Sequence, residues 1–260
     1  MTVVRRPADF IILSTPRSGS NNLQDALHQH PEIDCGGELF NPSHVQIWNR
    51  LYMQERASGW VERAGARAFF AMTQQCKRRF PRAVLRIARR PRGKPLFGFR
   101  LFGGHISYFR LDPFLDELCA RGTRFVHLVR RDTFDQAVSL VRAQVTGMWK
   151  RRPGVMAPAL PLDLLALADR IAAAAEELHT HKLISARAAR RYDALLLPYE
   201  EYTRDEQSYE RIQEFLGVRS HARLRHANLQ TPPVDAETYR TLRRELERRG
   251  APLRFDPDSL

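Results

Sequence analysis

Phe10-Ile11-Ile12-Leu13-Ser14-Thr15-Pro16-Arg17-Ser18-Gly19-Ser20-Asn21-Asn22 decides the fold. Four apolar residues break at a Ser/Pro/Gly turn, after which Leu23, Ala26 and Leu27 recur at helical spacing. The stretch therefore reads strand, tight loop, helix. The order recurs further along. Arg124 to Val129 reads as a buried strand, preceded by a helix that stops at Gly122. After it, Phe134, Ala137, Val138, Val141, Val145 and Met148 form a helical stripe, with Asp132 or Thr133 placed to cap it. Leu96 to Phe102 and Leu195 to Leu197 supply two more strands, and helices are expected over Leu162 to Ala189 and over Tyr209 to Leu216, ending at Gly217. Strands alternating with helices predict an α/β protein: a parallel sheet covered on both faces, with ligands where strands end and helices begin.

Composition bounds the answer. The 260 residues are 43% hydrophobic and 27% charged, enough for one packed core, and no linker divides them, so a single domain over 1–260 is expected. The net charge is +13; of 42 basic residues only Lys77, Lys94, Lys150 and Lys182 are lysines, leaving 38 arginines, a surface suited to anions. Cys35, Cys76 and Cys119 are too few and scattered for a disulfide framework or a metal knuckle, which fits a reducing compartment and no metal. No apolar run approaches a signal-peptide core or a membrane span, so a cytoplasmic location is expected.

The first loop has the parts of an anion cradle: Gly19 for close approach, hydroxyls on Ser18 and Ser20, the cation Arg17, and free amides at Asn21 and Asn22 where the helix starts. It lacks the Gly-Lys-Ser/Thr ending of a magnesium-dependent nucleotide loop. A second site lies at Arg130-Arg131-Asp132, where a strand ends and Ser139 follows Arg131 by eight residues, so a guanidinium and a hydroxyl could clasp one phosphate.

With both motifs in this order, the sequence resembles the sulfotransferases that use 3′-phosphoadenosine 5′-phosphosulfate. The first loop is similar to their 5′-phosphosulfate loop, and Arg131-Asp-Thr-Phe-Asp-Gln-Ala-Val-Ser139 to their 3′-phosphate motif. It resembles most closely the bacterial carbohydrate sulfotransferases of the nodulation-factor and trehalose type, in His30-Pro31-Glu32, Gly37-Glu38-Leu39-Phe40-Asn41 and Arg142-Ala-Gln-Val-Thr-Gly-Met-Trp149. Leu197-Pro198-Tyr199-Glu200-Glu201 and Phe215-Leu216-Gly217 are similar to a later family segment. The resemblance implies a P-loop-like fold and, without metal, sulfuryl transfer to a hydroxyl of a carbohydrate or glycoconjugate such as a glycolipid, with a small-molecule or lipid-headgroup hydroxyl as the alternative acceptor.

It further implies that Arg17 holds the 5′-phosphate and leaving oxygen, that Arg17, Ser18, Gly19, Ser20, Asn21, Asn22, Arg131 and Ser139 bind the nucleotide, and that Glu38, in a loop after Gly36-Gly37, is the general base. Glu32 is the lesser alternative. Many relatives place Lys-x-His on a central strand where this chain has Arg100-Leu101-Phe102, so the histidine is missing there, Arg100 is left to contact the sulfate, and His105 reads as a turn residue or a substitute base. Trp48, Trp60 and Trp149 are stacking or core residues, and Tyr199 and Glu200 are expected to satisfy backbone groups.

A nucleic-acid-binding role is the non-enzyme alternative, but no reader motif supports a nucleic-acid partner. Between Lys77 and Lys94 nine basic residues meet no acidic one. Pro81, Pro91 and Pro95 preclude one uninterrupted helix there, and the run reads either as a solvated basic loop or as peripheral contact with an anionic membrane or acceptor.

Overall fold

The computed structural model describes residues 9–41, 79–88, 94–149, 163–205, 207–219 and 235–259. Its centre is a five-stranded sheet: β1 (Phe10–Ser14), β2 (Ile33–Glu38), β3 (Leu96–Phe102), β4 (Arg124–Val129) and β5 (Leu195–Pro198). The order is β2-β3-β1-β4-β5 and every pairing is parallel. β1 is thus central, with later strands laid to either side, which makes its carboxyl end the topological switch point.

The helices are α1 (Ser20–Gln29), α2 (Arg79–Ala88), α3 (Gly103–Phe109), α4 (Asp112–Ala120), α5 (Thr133–Thr146), α6 (Leu164–Arg191), α7 (Tyr199–Tyr202), α8 (Gln207–Leu216) and α9 (Ala236–Arg248). Alternation along β1 divides the core. Phe10 and Ile12 pack with Leu23 and Leu27 of α1 and Ile212 and Leu216 of α8. Ile11 and Leu13 pack on the other face with Ile106 of α3, Leu115 of α4 and Ala188 of α6. Each such Phe, Ile or Leu side chain stabilises the fold by about 1.5–3 kcal/mol when fully buried. A third cluster joins Val138 and Val141 of α5, Ile171 of α6 and Leu242 and Leu246 of α9.

The expected strands and the covered parallel sheet are present. β2 was not foreseen. Ile33-Asp34-Cys35-Gly36-Gly37-Glu38 shows no apolar alternation, yet it pairs with β3, with an irregular register between Cys35 and Glu38. Glu38 therefore closes a strand and does not sit in the expected loop. His105 is no turn residue either: it lies within α3, its Nδ1 accepts from Phe102 N–H at 3.5 Å, and its ring stacks on Phe102. Gly103 and Gly104 mark close packing, since a Cβ at Gly103 would stand 2.1 Å from the His181 carbonyl oxygen of α6.

Within the basic run, α2 places Pro81 in its first turn, where the missing N–H costs no helical bond. Arg82 pairs with Glu117, and Lys94 Nζ donates to the carbonyls of His28, His30 and Ile33 at 2.7–3.0 Å, tying the end of α1 to the start of β2. Lys77, Arg78, Arg89, Arg90 and Arg92 lie outside the described residues, as do Trp48 and Trp60. No described helix is long and apolar enough to cross a membrane.

Candidate active site

The loop between β1 and α1 is bent to a demanding shape. Arg17 has φ 62° and Gly19 φ 86°, both in the left-handed region, and strain of this kind gathers at functional sites. A Cβ on Gly19 would lie 2.6 Å from the Tyr199 ring, so close approach also selects glycine. The loop is held from several directions. Tyr202 Oη donates to Gly19 O at 3.0 Å, Gln136 Nε2 donates to Thr15 Oγ1 at 2.8 Å, and Arg130 stacks on Tyr199 at 4.8 Å. No side chain caps α1, so the first amides of Ser20, Asn21 and Asn22 keep the free N–H groups of a helix start. Ser18 Oγ is buried without a hydrogen-bond partner.

Arg17 crosses from this loop to α5. Its Nε donates to Ser139 Oγ at 2.9 Å and its Nη1 to the Trp149 carbonyl at 2.7 Å. Burial lowers its pKa, and Arg130 and Arg142 press the same way; such a group of cations favours a polyanion among them. The Trp149 ring is 50% exposed, which removes it from the core.

On the other side of α1, Glu38 and Arg100 are cross-strand partners in the β2–β3 register, and the pairing alone brings them together. Arg100 Nη1 lies 3.2 Å from Glu38 Oε1 and donates to Ser20 Oγ at 3.2 Å, while Asn41 Nδ2 donates to Glu38 Oε2 at 2.6 Å. Arg100 is 6% exposed; burial lowers its pKa and Glu38 opposes the shift. Its Nε has no partner. Burial pushes the neighbouring Cys35 thiol up to about 12, so it stays protonated. Glu32 precedes β2, and its carbonyl accepts from Leu96 N–H at the start of β3, at the opposite end of β2 from Glu38.

At the second strand–helix junction Ser139 accepts from Arg17, and Arg131 pairs with Glu201 at 3.0 Å and Asp258 at 3.9 Å. The start of α5 is already satisfied. Asp132 accepts from Asp135 N–H, and the amides of Thr133 and Phe134 donate to Leu253 O at 3.0 and 3.2 Å. Phe255 N–H donates to Arg131 O, and Arg243 pairs with Asp132 at 3.2 Å, so the chain after α9 straps this turn. Glu200 Oε1 accepts from Asp132 N–H at 3.1 Å, the backbone-satisfying role expected of it.

Sequence comparison fits this geometry. The profile described as Stf0 sulphotransferase matches residues 9–159, more than half of the chain. The chain belongs to the Stf0 sulphotransferase family. It is 27% identical over 146 residues to nodulation protein H of Rhizobium tropici, covering 55% of this chain but only 49% of that protein. To nodulation protein H of Rhizobium meliloti (strain 1021) it is 26% identical over 205 residues, covering 76% and 72%. Among solved structures it is similar to sulfotransferase STF9 from Mycobacterium avium, with 14% identity, 94% and 69% coverage and TM-score 0.43. A sulfotransferase domain from the curacin biosynthetic pathway matches with 16% identity, 84% and 76% coverage and TM-score 0.41.

The Stf0 match contains Arg17, Glu38, Arg100, Arg131 and Ser139, together with the loop supports Arg130 and Gln136, whereas the supports Lys182, Tyr199, Glu200, Tyr202 and the strap lie beyond it. Sequence reading missed Arg130, Lys182 and Tyr202 as supports because the backbone carbonyls they hold are 52 to 183 residues away. Among the described residues no group of His, Cys, Asp and Glu could hold a metal ion.

Proposed function

We propose that the chain transfers a sulfuryl group from 3′-phosphoadenosine 5′-phosphosulfate to a hydroxyl of a carbohydrate or glycoconjugate, with Glu38 as general base. One observation carries the reading: the carboxylate of Glu38 is joined through Arg100 to Ser20, the first residue of an uncapped helix behind a strained, cationic loop. A base and an anion cradle thus share one strand edge. The unpartnered Ser18 Oγ and Arg100 Nε fit an oxyanion ligand there. The carbohydrate class follows the nodulation protein H relatives.

The donor supplies the sulfuryl group. The amides of Ser20, Asn21 and Asn22 with Arg17 hold the 5′-phosphate and the leaving oxygen, and Arg131 and Ser139 serve the 3′-phosphate. Arg17 leaves Ser139 and the Trp149 carbonyl to do so. Glu38 takes the acceptor's proton as the acceptor oxygen bonds to sulfur and the bond from sulfur to the nucleotide oxygen breaks. Arg100 and Asn41 each hold one carboxylate oxygen, and each oxygen keeps a lone pair for that proton. As in phosphoryl transfer, the protein's part is positioning and charge stabilisation.

The test is Glu38→Gln. Turnover falls about 100-fold or more while nucleotide affinity stays near wild type, since general-base removal costs that much. Near-normal turnover would take Glu38 out of the base role.

A further inference from the structure

Lys182 stands about two-thirds of the way along α6, 1% exposed, and takes no part in the chemistry above. Its Nζ donates to Arg130 O at 2.6 Å and to Thr133 Oγ1 at 2.8 Å, and lies 5.6 Å from the Phe255 ring. It thus spans both ends of the Arg130–Thr133 turn. The same face of α6 reaches two other strand ends: Ser185 Oγ donates to Ser14 O at 3.2 Å, and the His181 carbonyl packs on Gly103. α6 is the beam on which the active edge rests. No carboxylate among the described residues lies within ion-pairing distance of Nζ. A buried ammonium whose direct contacts are a carbonyl, a hydroxyl and a ring has lost most of its hydration without gaining a paired counter-ion.

We propose that Lys182 is a positioning residue that couples a proton to nucleotide binding, its ammonium fixing the 3′-phosphate turn and becoming fully charged as the phosphate arrives. The charged groups facing Nζ are Arg130 and Asp132 from the turn and Glu200 from α7, and the strap presents the Phe255 ring. Burial pushes the Lys182 pKa down to about 7, with Arg130 adding to the fall and Glu200 and Asp132 opposing it. A phosphate on this turn adds negative charge and raises that pKa. By linkage, the protonated protein binds the phosphate more tightly. Affinity should therefore weaken as pH climbs above neutrality. The inference rests on the proposed nucleotide site.

The test is calorimetric titration of the full chain with 3′-phosphoadenosine 5′-phosphate at pH 8, where the ligand's phosphates are fully ionised, in two buffers of different ionisation enthalpy. Wild type takes up about 0.4 of a proton per nucleotide, the amount expected when a group titrating near 7 is raised by about one unit. Lys182→Met abolishes the uptake and flattens the pH dependence of affinity; Lys182→Arg, permanently charged, binds without uptake and without the alkaline decline. Binding by wild type with no uptake, or uptake that persists in Lys182→Met, overturns the inference and leaves the sulfotransferase reading intact. Absence of nucleotide binding by wild type overturns both. The wild-type arm needs no variant to fold.

Discussion

Two strand–helix junctions line the carboxyl edge of the sheet, and they handle the same backbone problem in opposite ways. Between β1 and α1 the helix start has no side-chain cap, and glycine and a left-handed arginine hold the loop open. Between β4 and α5 the start is closed: Asp132 caps it, Leu253 O takes two amides, and Arg243 covers the cap. Amides already spent on protein carbonyls cannot receive a ligand. On the proposed reading, the first junction offers an anion backbone amides and the second offers it side chains alone.

Gly19→Ala strikes the open junction hardest. Its Cβ meets the Tyr199 ring at 2.6 Å, so the loop must shift; with charged hydrogen bonds to an anion worth about 1.5–3 kcal/mol each, nucleotide affinity falls up to about 100-fold. Gly122→Ala is the matched control, because Gly122 has the same φ of 86° with nothing within 4 Å. It costs about 1–2 kcal/mol of stability, read by denaturant titration, and leaves affinity unchanged. Equal losses of affinity in both variants would mean that backbone strain, and not a cradle, explains Gly19.

Arg131→Ala probes the side-chain junction. A charged hydrogen bond to phosphate is worth about 1.5–3 kcal/mol, so affinity falls at least about tenfold, and Ser139→Ala, which removes a neutral donor, falls less. An Arg131→Ala protein with wild-type affinity would confine anion binding to the first junction. The smallest effect is Asp132→Ala: loss of the cap costs about 1 kcal/mol in denaturation, with little change in affinity, since the Thr133 and Phe134 amides stay bonded to Leu253 O.

The same contrast explains what the sequence disclosed. β1, β3, β4 and β5 announce themselves as apolar runs, and the cationic loop is a local signal, so the fold and half of the site are legible. β2 is not: its burial comes from its partner, β3, and two of its six residues are glycines. Glu38 was therefore identified by resemblance but placed in a loop, and its contact with Arg100 needs a register that no local pattern reveals. Gly103-Gly104 looks like a break, whereas it starts a helix packed tightly on α6. The pairing of Ser139 with Arg17 spans 122 residues, and the strap and Lys182 act through tertiary contacts alone.

Incubation of the full chain with radiolabelled 3′-phosphoadenosine 5′-phosphosulfate and a panel of neutral oligosaccharides, small alcohols and phenols tests the central claim most directly. The account predicts label in an oligosaccharide, dependent on Glu38 and accompanied by stoichiometric release of 3′-phosphoadenosine 5′-phosphate. Label transferred only to phenols or simple alcohols would contradict the acceptor class. Tight nucleotide binding with no transfer to any hydroxyl would contradict the reaction itself.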